Sequence, residues 1–412
     1  MKVSILTLGC KVNQSESAFI EGNLKKHGFS SANLYEKPDF CIINTCTVTS
    51  KSDYQSRQLI RRALKTGAKV IVTGCYAQLN PDDIKKINDS IIIVNNSEKY
   101  NIINMLNNNI KSIAFNYCTR ARPYVKVQDG CNLSCSYCVI PLARGKSKSI
   151  NMYEVLNQVI ALEEAGFNEI VITGIHLGLY GHDIIPHQKL THLIKFLLKN
   201  TKIYRFRLSS LEPNEIDDEL IELLQDTRIC EHIHIPLQSG DDTILKLMRR
   251  NYSSEDYIRI IEGIFKRVPD ISIGTDVIVG FPGEGEREFN NSKDIIHSLP
   301  LSYLHIFPFS LRPKTLSSQM PDQIPVHVRK KRFKEMNDIN INKRQRYIES
   351  MMNKCLDIII EDQCNENTFI GTSSNYLKVK VITNAYHKKS HVTVRITGRE
   401  GNTLIGNPVE SK

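Results

Sequence analysis

The sequence predicts an α/β protein in three parts: an N-terminal α/β domain on a parallel sheet, a central partial (β/α)6 barrel, and a small C-terminal β-barrel of OB-like type. Three observations predict it. Short apolar runs alternate with helical stretches through the first three hundred residues, the pattern of a parallel sheet covered by helices. Those runs end on Gly, Ser, Thr or Cys, residues suited to the strand ends where such sheets bind ligands. Past residue 354 the helices stop and five short strands follow one another. The divisions fall at 1–118, 119–310, a linker with a basic helix at 311–353, and 354–412.

In the first part, strands are expected at Val3–Leu8, Phe40–Asn44, Lys69–Thr73 and Ile91–Val94. Helices are expected at Ser15–His27, closed by Gly28, at Ser52–Lys65, and from Pro81-Asp82 onward. Cys10, Cys46 and Cys75 each stand just past a strand's C-terminal end, so a parallel sheet carries all three to one edge. A lone cysteine is usually a small buried hydrophobe; the shared position is what makes these a set, with no evident fourth protein ligand. Cys41 lies inside a strand and reads as core. No role is assigned to Cys118, Cys230, Cys355 or Cys364.

The central part repeats strand then helix six times, with strands at Tyr124–Val127, Glu169–Thr173, Tyr204–Leu208, His232–Ile235, Ile271–Val279 and Leu304–Phe307. After the first strand comes Cys131-Asn-Leu-Ser-Cys135-Ser-Tyr-Cys138. Three thiolates on one short loop can hold three irons of a cubane cluster and leave the fourth open to a small molecule. A structural zinc site needs four closed ligands, and a disulfide framework belongs to small secreted domains. Gly130 turns the chain before the loop; Pro141–Gly145 ends it and brings Arg144 near an anionic site. The remaining strand ends are Gly-rich or polar, which fits a cofactor pocket on the barrel's C-terminal rim. The candidate cofactor-binding residues are Thr173, Gly174, Ser209, Glu212, Gln238 and Arg250. His176 and His234 read equally well as packed polar residues, and Arg249 as a helix-terminal charge.

In the last part, Pro321 and Pro325 punctuate a linker and His327–Asn353 reads as a long basic helix. From Arg312 onward 18 Lys and Arg stand against 10 Asp and Glu, so eight of the chain's ten net positive charges lie there. A basic end points to a polyanion, nucleic acid ahead of membrane. Tyr376, Lys378, Lys380, Tyr386, Lys388 and Lys389 interleave aromatics with cations, as base stacking and phosphate contact require. Composition, 41% hydrophobic and 24% charged, excludes a disordered chain. No apolar run reaches the length of a membrane span. The N-terminus reads as a strand rather than an export signal, and eleven cysteines in such a chain point to a reducing, cytoplasmic compartment.

Taken together, the chain resembles the methylthiotransferases, radical S-adenosylmethionine enzymes with two iron–sulfur clusters. The resemblance is carried by Thr7–Gln14, Asn44–Thr49, Thr73–Tyr76, Gly130–Gly145, Arg207–Glu212, His234–Gly240 and Gly274–Glu284, and the C-terminal part resembles the family's RNA-binding TRAM barrel. It implies that Cys10, Cys46 and Cys75 hold an auxiliary 4Fe-4S cluster and Cys131, Cys135 and Cys138 a second one that cleaves S-adenosyl-L-methionine to a 5′-deoxyadenosyl radical. The Leu-Gly-Cys-Lys-Val-Asn-Gln start, Thr173–His176 and Arg144–Ser147 favour the branch that modifies N6-threonylcarbamoyladenosine at position 37 of tRNA. Other branches act on isopentenyladenosine in tRNA or on a ribosomal-protein aspartate. A non-enzymatic alternative is an RNA-binding protein stabilised by zinc. The implied partners are a tRNA anticodon stem-loop and a reductant such as flavodoxin or ferredoxin, with no membrane and the chain a monomer. Two departures stand out. Leu142 replaces a frequent aromatic, and Arg312-Pro313-Lys314-Thr315 lacks an expected glycine.

Overall fold

The computed structural model describes residues 1–106, 120–383 and 386–409; Cys118 lies outside them. At the N-terminus, β1 (Lys2–Thr7), β2 (Ser30–Ser31), β3 (Phe40–Thr45), β4 (Lys69–Gly74) and β5 (Ile92–Ile93) form a parallel sheet in the order β2-β1-β3-β4-β5. Alternate residues of each strand face opposite sides. Ile42 and Ile71 pack on Ile20 and Leu24 of α1 (Lys11–Lys26). Cys41, Ile43 and Val72 pack on Ile60 and Ala63 of α2 (Ser50–Leu64). Both faces are covered, which is why these strands read as unbroken apolar runs.

Helix α1 begins four residues before the expected start, with Cys10 as its N-cap. Lys11 to Gln14 carry little apolar period; the fold holds them instead through Asn13, whose amide donates to Leu8 O at 2.8 Å and Thr45 O at 3.0 Å. A short α3 (Cys75–Leu79), which the sequence reading did not anticipate, starts on Cys75 itself.

The central strands β6 (Tyr124–Lys126), Glu169–Thr173 and Arg205–Leu208 form one parallel sheet, and His232–His234, Ser272–Val279 and Tyr303–Pro308 another. Backbone bonds stitch the two together: Phe206 N to Arg228 O (2.7 Å), Cys230 N to Phe206 O (2.8 Å) and Leu211 N to His234 O (3.0 Å). The result is one curved, open wall of six strands. Its convex face buries Ile170, Ile172, Phe206, Leu208, Ile233, Ile273 and Val277 against Val159, Leu193, Ile261, Ile264 and Phe289 of the covering helices. The alternate positions are polar, among them Arg205, Arg207, His232, His234 and Asp276, and face the concave side.

The C-terminal strands Cys355–Asn365, Thr368–Ser373, Lys378–Ile382, His391–Glu400 and Thr403–Pro408 close into a barrel. It is docked on the central wall by two arginines. Arg205 donates to Asp357 O and Thr372 O, and Arg207 to Ser374 O and Ser373 O, all at 2.9 Å. Glu169, fully buried, supplies their countercharge together with that of Arg122. This docking corrects one sequence expectation. Tyr376 stands apart from the outer lysines, on the wall of the central cavity. It points into the central wall, with its ring 4.4 Å from His232 and the Arg207 guanidinium over it at 5.2 Å. Lys378, Lys380 and Lys388 are engaged with Glu361, Glu400 and Asp362, and Lys389 donates to Ala165 O at 2.9 Å. The first three pairs are exposed and hold their lysines only weakly.

The long helix Val326–Ser350 also divides its charges. Arg332 is buried against Glu284 at 2.9 Å, and Arg329 donates to Phe309 O. Lys330, Lys331, Lys334 and Arg346 remain exposed. The missing glycine has a local consequence: Lys314 itself adopts a left-handed conformation, φ +70°. Leu142 is half exposed, 51%, so it packs little of the loop.

Candidate active site

The ends of β1, β3 and β4 bring Cys10, Cys46 and Cys75 together, and two glycines permit the approach. Gly9 has φ +100°, and a Cβ there would lie 2.8 Å from Cys46 Cβ and 3.0 Å from its Sγ. Gly74 has φ +95°, and a Cβ would lie 2.5 Å from Thr45 N. Cys46 and Cys75 are buried, while Cys10 opens onto a cavity. Burial pushes the Cys10 and Cys46 thiols up, and the neighbouring thiols push the same way.

Arg144 is where the sequence reading was incomplete. It was expected near an anionic site by the 131–138 loop; it reaches across to the N-terminal domain. It donates to Glu16 at 3.0 Å and Asp129 at 2.8 Å, contacts Asn13, and is the cation that favours the Cys10 thiolate. Glu16 is fully buried and also takes Lys99 at 2.5 Å and Lys126 at 3.1 Å. Burial opposes its charge, but those three cations hold the carboxyl well below its usual range. The network sets three cations against two carboxylates, all of them hydrogen-bonded, a condition under which buried ions are tolerated, and it fixes the cysteine loop to the first trio's domain.

The second trio sits on the loop between Gln128–Asp129 and the helix Ile140–Arg144. At Gly130, φ +69°, a Cβ would collide with the Lys146 carbonyl. Each thiol has a partner. Cys131 Sγ lies 3.3 Å from His176 Nδ1, Arg250 donates to Cys135 Sγ at 3.3 Å, and Ile140 N donates to Cys138 Sγ at 3.5 Å. Burial pushes the Cys138 thiol up to about 12. Burial alone would lower His176; its bond to Cys131 and its pairing with Glu215 outweigh that and hold it at about 10. Arg250 also pairs with Glu212, whose carboxyl burial raises.

Of the expected cofactor residues, Thr173, Gly174 and Ser209 line a cavity of about 570 Å³ whose opposite wall is Gly9–Val12, Cys46, Val48 and Thr49. Gln238 lines an adjoining pocket of about 190 Å³ with Tyr137, which shares Val48, Thr49, Asp276 and Phe307 with the larger one. Glu212 and Arg250 lie behind the rim, at Cys135. The cavity therefore runs between the first trio and the strand ends that carry the second trio's neighbours.

The structure brings Asp276 and His305 to the site and places His234, which reads from sequence as packed or functional alike, on the cavity wall beside them. His234, Asp276 and His305 line the cavity, with Asp276 2.9 Å from His234 Nε2 and 3.2 Å from His305 Nδ1. Their signal was polar residues alternating with apolar ones in buried strands. Arg312 is another: buried, it reaches Thr47 at 2.8 Å and Asp53 at 2.6 Å and ties the end of the central wall to the chain beside Cys46. Lys11 lines the cavity as well, and burial, then Arg207 and Arg122, lower it to about 8.

Comparison with known proteins agrees with this architecture in two steps. Residues 125–296 match the Radical SAM superfamily, a class whose members use a 4Fe-4S cluster and S-adenosylmethionine, and residues 2–95 match a family described as Uncharacterized protein family UPF0004. The chain is 36% identical over 402 residues to the threonylcarbamoyladenosine tRNA methylthiotransferase MtaB of Aquifex aeolicus, covering 92% of this chain and 96% of that protein. The MtaB of Bacillus subtilis is likewise 36% identical, covering 92% and 89%. Among solved structures, the radical S-adenosylmethionine methyltransferase TsrM of Kitasatospora setae shares the fold, with a TM-score of 0.56 at 15% identity over 74% of this chain and 72% of that one. The chain belongs to the methylthiotransferase family and is a radical S-adenosylmethionine enzyme.

Proposed function

We propose that this protein adds a methylthio group to C2 of N6-threonylcarbamoyladenosine at position 37 of tRNA. The observation that carries this reading is the cavity with Cys10 and Cys46 of one cysteine trio on its wall and the strand ends beside the other trio opposite. The relatives named for that reaction, similar over more than nine-tenths of this chain, support the substrate.

Cys131, Cys135 and Cys138 are the ligands for the cluster that the superfamily implies, and Cys10, Cys46 and Cys75 for a second. The donor sets fit. Each is three thiols, with His176 beside Cys131 already engaged by Glu215, and soft thiolates select iron–sulfur clusters. Burial raises the Cys10, Cys46, Cys135 and Cys138 thiols, Cys138 to about 12, so loading releases protons from them. S-adenosylmethionine also fits its side: Ser209 Oγ is buried without a hydrogen-bond partner among the described residues, and Gly174 leaves open a space that a Cβ would bring within 2.8 Å of Gln128 Oε1.

When bound, the cluster and S-adenosylmethionine supply the radical that removes hydrogen from an unactivated C–H. This chain's residues set the conditions for it. Arg250 and His176 point positive charge at the Cys135 and Cys131 sulfurs and orient the loop. Phe307, Val48 and Tyr303 wall the cavity, limiting water at the reacting carbon. The exposed cations of the Val326–Ser350 helix suit the stem-loop phosphates, and single-stranded anticodon bases can be splayed into a cavity of this kind.

The test is nucleoside analysis of tRNA from a strain lacking this gene. Loss of the methylthio-threonylcarbamoyl nucleoside, restored by the wild-type protein and not by Cys46→Ala, is expected. Loss instead of the methylthio-isopentenyl nucleoside, or an unchanged nucleoside profile, overturns the reading.

A further inference from the structure

The cavity contains a cation that the described part of the protein leaves unanswered. Lys11 is the first residue of α1, where the positive end of the helix dipole disfavours a lysine, and the first turn carries no acid. Its side chain lines the cavity between Cys10 and the central wall. The charges it feels there are Arg207 and Arg122, then Glu169 and Asp276. Both acids are committed elsewhere: Glu169 to three arginines, Asp276 to His234 and His305. Among the described residues Lys11 forms no ion pair. A half-buried lysine on the cavity wall, at the disfavoured end of its own helix and with no ion-pair partner among the described residues, is stabilised by an anion that enters the cavity.

Threonylcarbamoyladenosine brings one: the threonyl group ends in a carboxylate. Resting on the substrate proposed above, we infer that Lys11 is a specificity-determining residue whose ammonium binds that carboxylate. The same lysine disfavours an adenosine bearing an apolar N6 substituent, because that ligand covers the cavity wall and leaves the charge unpaired. Sites built around a polar partner discriminate strongly against analogues lacking it.

The experiment uses reconstituted holoenzyme and two fluorescent anticodon stem-loops, one bearing threonylcarbamoyladenosine and one its methyl ester, which removes only the negative charge. Binding is read by anisotropy, methylthiolation by mass spectrometry of nucleosides. Wild-type enzyme is expected to bind the acid about tenfold or more tightly than the ester, the scale of one charge-assisted hydrogen bond. Lys11→Met should weaken binding of the acid by a similar factor, raise KM more than it lowers kcat, and abolish the preference, while Lys11→Arg keeps it. Iron and sulfide content should equal wild type in both variants. Equal wild-type affinity for acid and ester overturns the inference, even if no variant folds. So does a Lys11→Met enzyme that still prefers the acid, or one that loses half its iron, which would make Lys11 a support of the first trio. Failure of the wild-type enzyme to methylthiolate either RNA, with full iron content and active S-adenosylmethionine cleavage, instead sinks the substrate assignment and takes this inference with it.

Discussion

Gly74→Ala tests whether the first cysteine trio depends on strand ends that only glycine allows to meet. Gly74 has φ +95° and ψ −172°, a region essentially closed to other residues, so alanine costs about 1–3 kcal/mol from backbone conformation alone. The methyl would stand 2.5 Å from Thr45 N, whereas real Cβ contacts essentially never fall under 3.0 Å, so the ends of β3 and β4 must separate by about 0.5 Å. Cys46 and Cys75 are the next residues along those strands. Metal–ligand distances tolerate about ±0.2 Å, so the separation is enough to break one trio. The 131–138 loop has its own anchors, at Gly130, Arg250 and His176, and is untouched. Anaerobically reconstituted Gly74→Ala protein should therefore hold about four irons per chain instead of about eight. It should still cleave S-adenosylmethionine and fail to insert sulfur. A variant with full iron and sulfide and wild-type methylthiolation refutes the convergence argument.

Three further outcomes are expected. Glu169 lies folded with a carboxyl held well below the ordinary value of 4.5, burial being outweighed by Arg207, Arg205 and Arg122. Its stabilising contribution is thus complete above the unfolded value and is lost as pH falls toward the folded one. Urea midpoints should drop below about pH 4.5 for wild type, while Glu169→Gln should cost about 3–5 kcal/mol at neutral pH and flatten that acid limb. Arg250→Met leaves the half-buried Glu212 unpaired; unfolding free energy should fall by about 1–3 kcal/mol, with most of it recovered in Arg250→Met/Glu212→Gln, measured by denaturant titration. Lys314→Gly relieves a left-handed lysine on the surface and should raise stability by about 1 kcal/mol in the same assay.

Much of this molecule was determined by the sequence alone, because its signals are local. Apolar runs of the right length, closed by Gly74 or opened by Pro81, define strands and helices without reference to anything distant. The C-x3-C-x2-C spacing places three thiols on one loop in any fold. The convergence of Cys10, Cys46 and Cys75 was also legible, because a parallel sheet sends all its strand ends to one edge. Tertiary structure decided what depends on direction and partnership. A lysine in a sequence does not say whether its charge is answered, and that separates Lys11 from Lys99, which Glu16 neutralises. Tyr376 reads as a surface aromatic until the docked barrel turns it inward. Arg144 belongs by sequence to one trio and by contact to the other. In each case the energy lies in pairing groups distant in sequence, and such pairs exist only once the chain has closed around them.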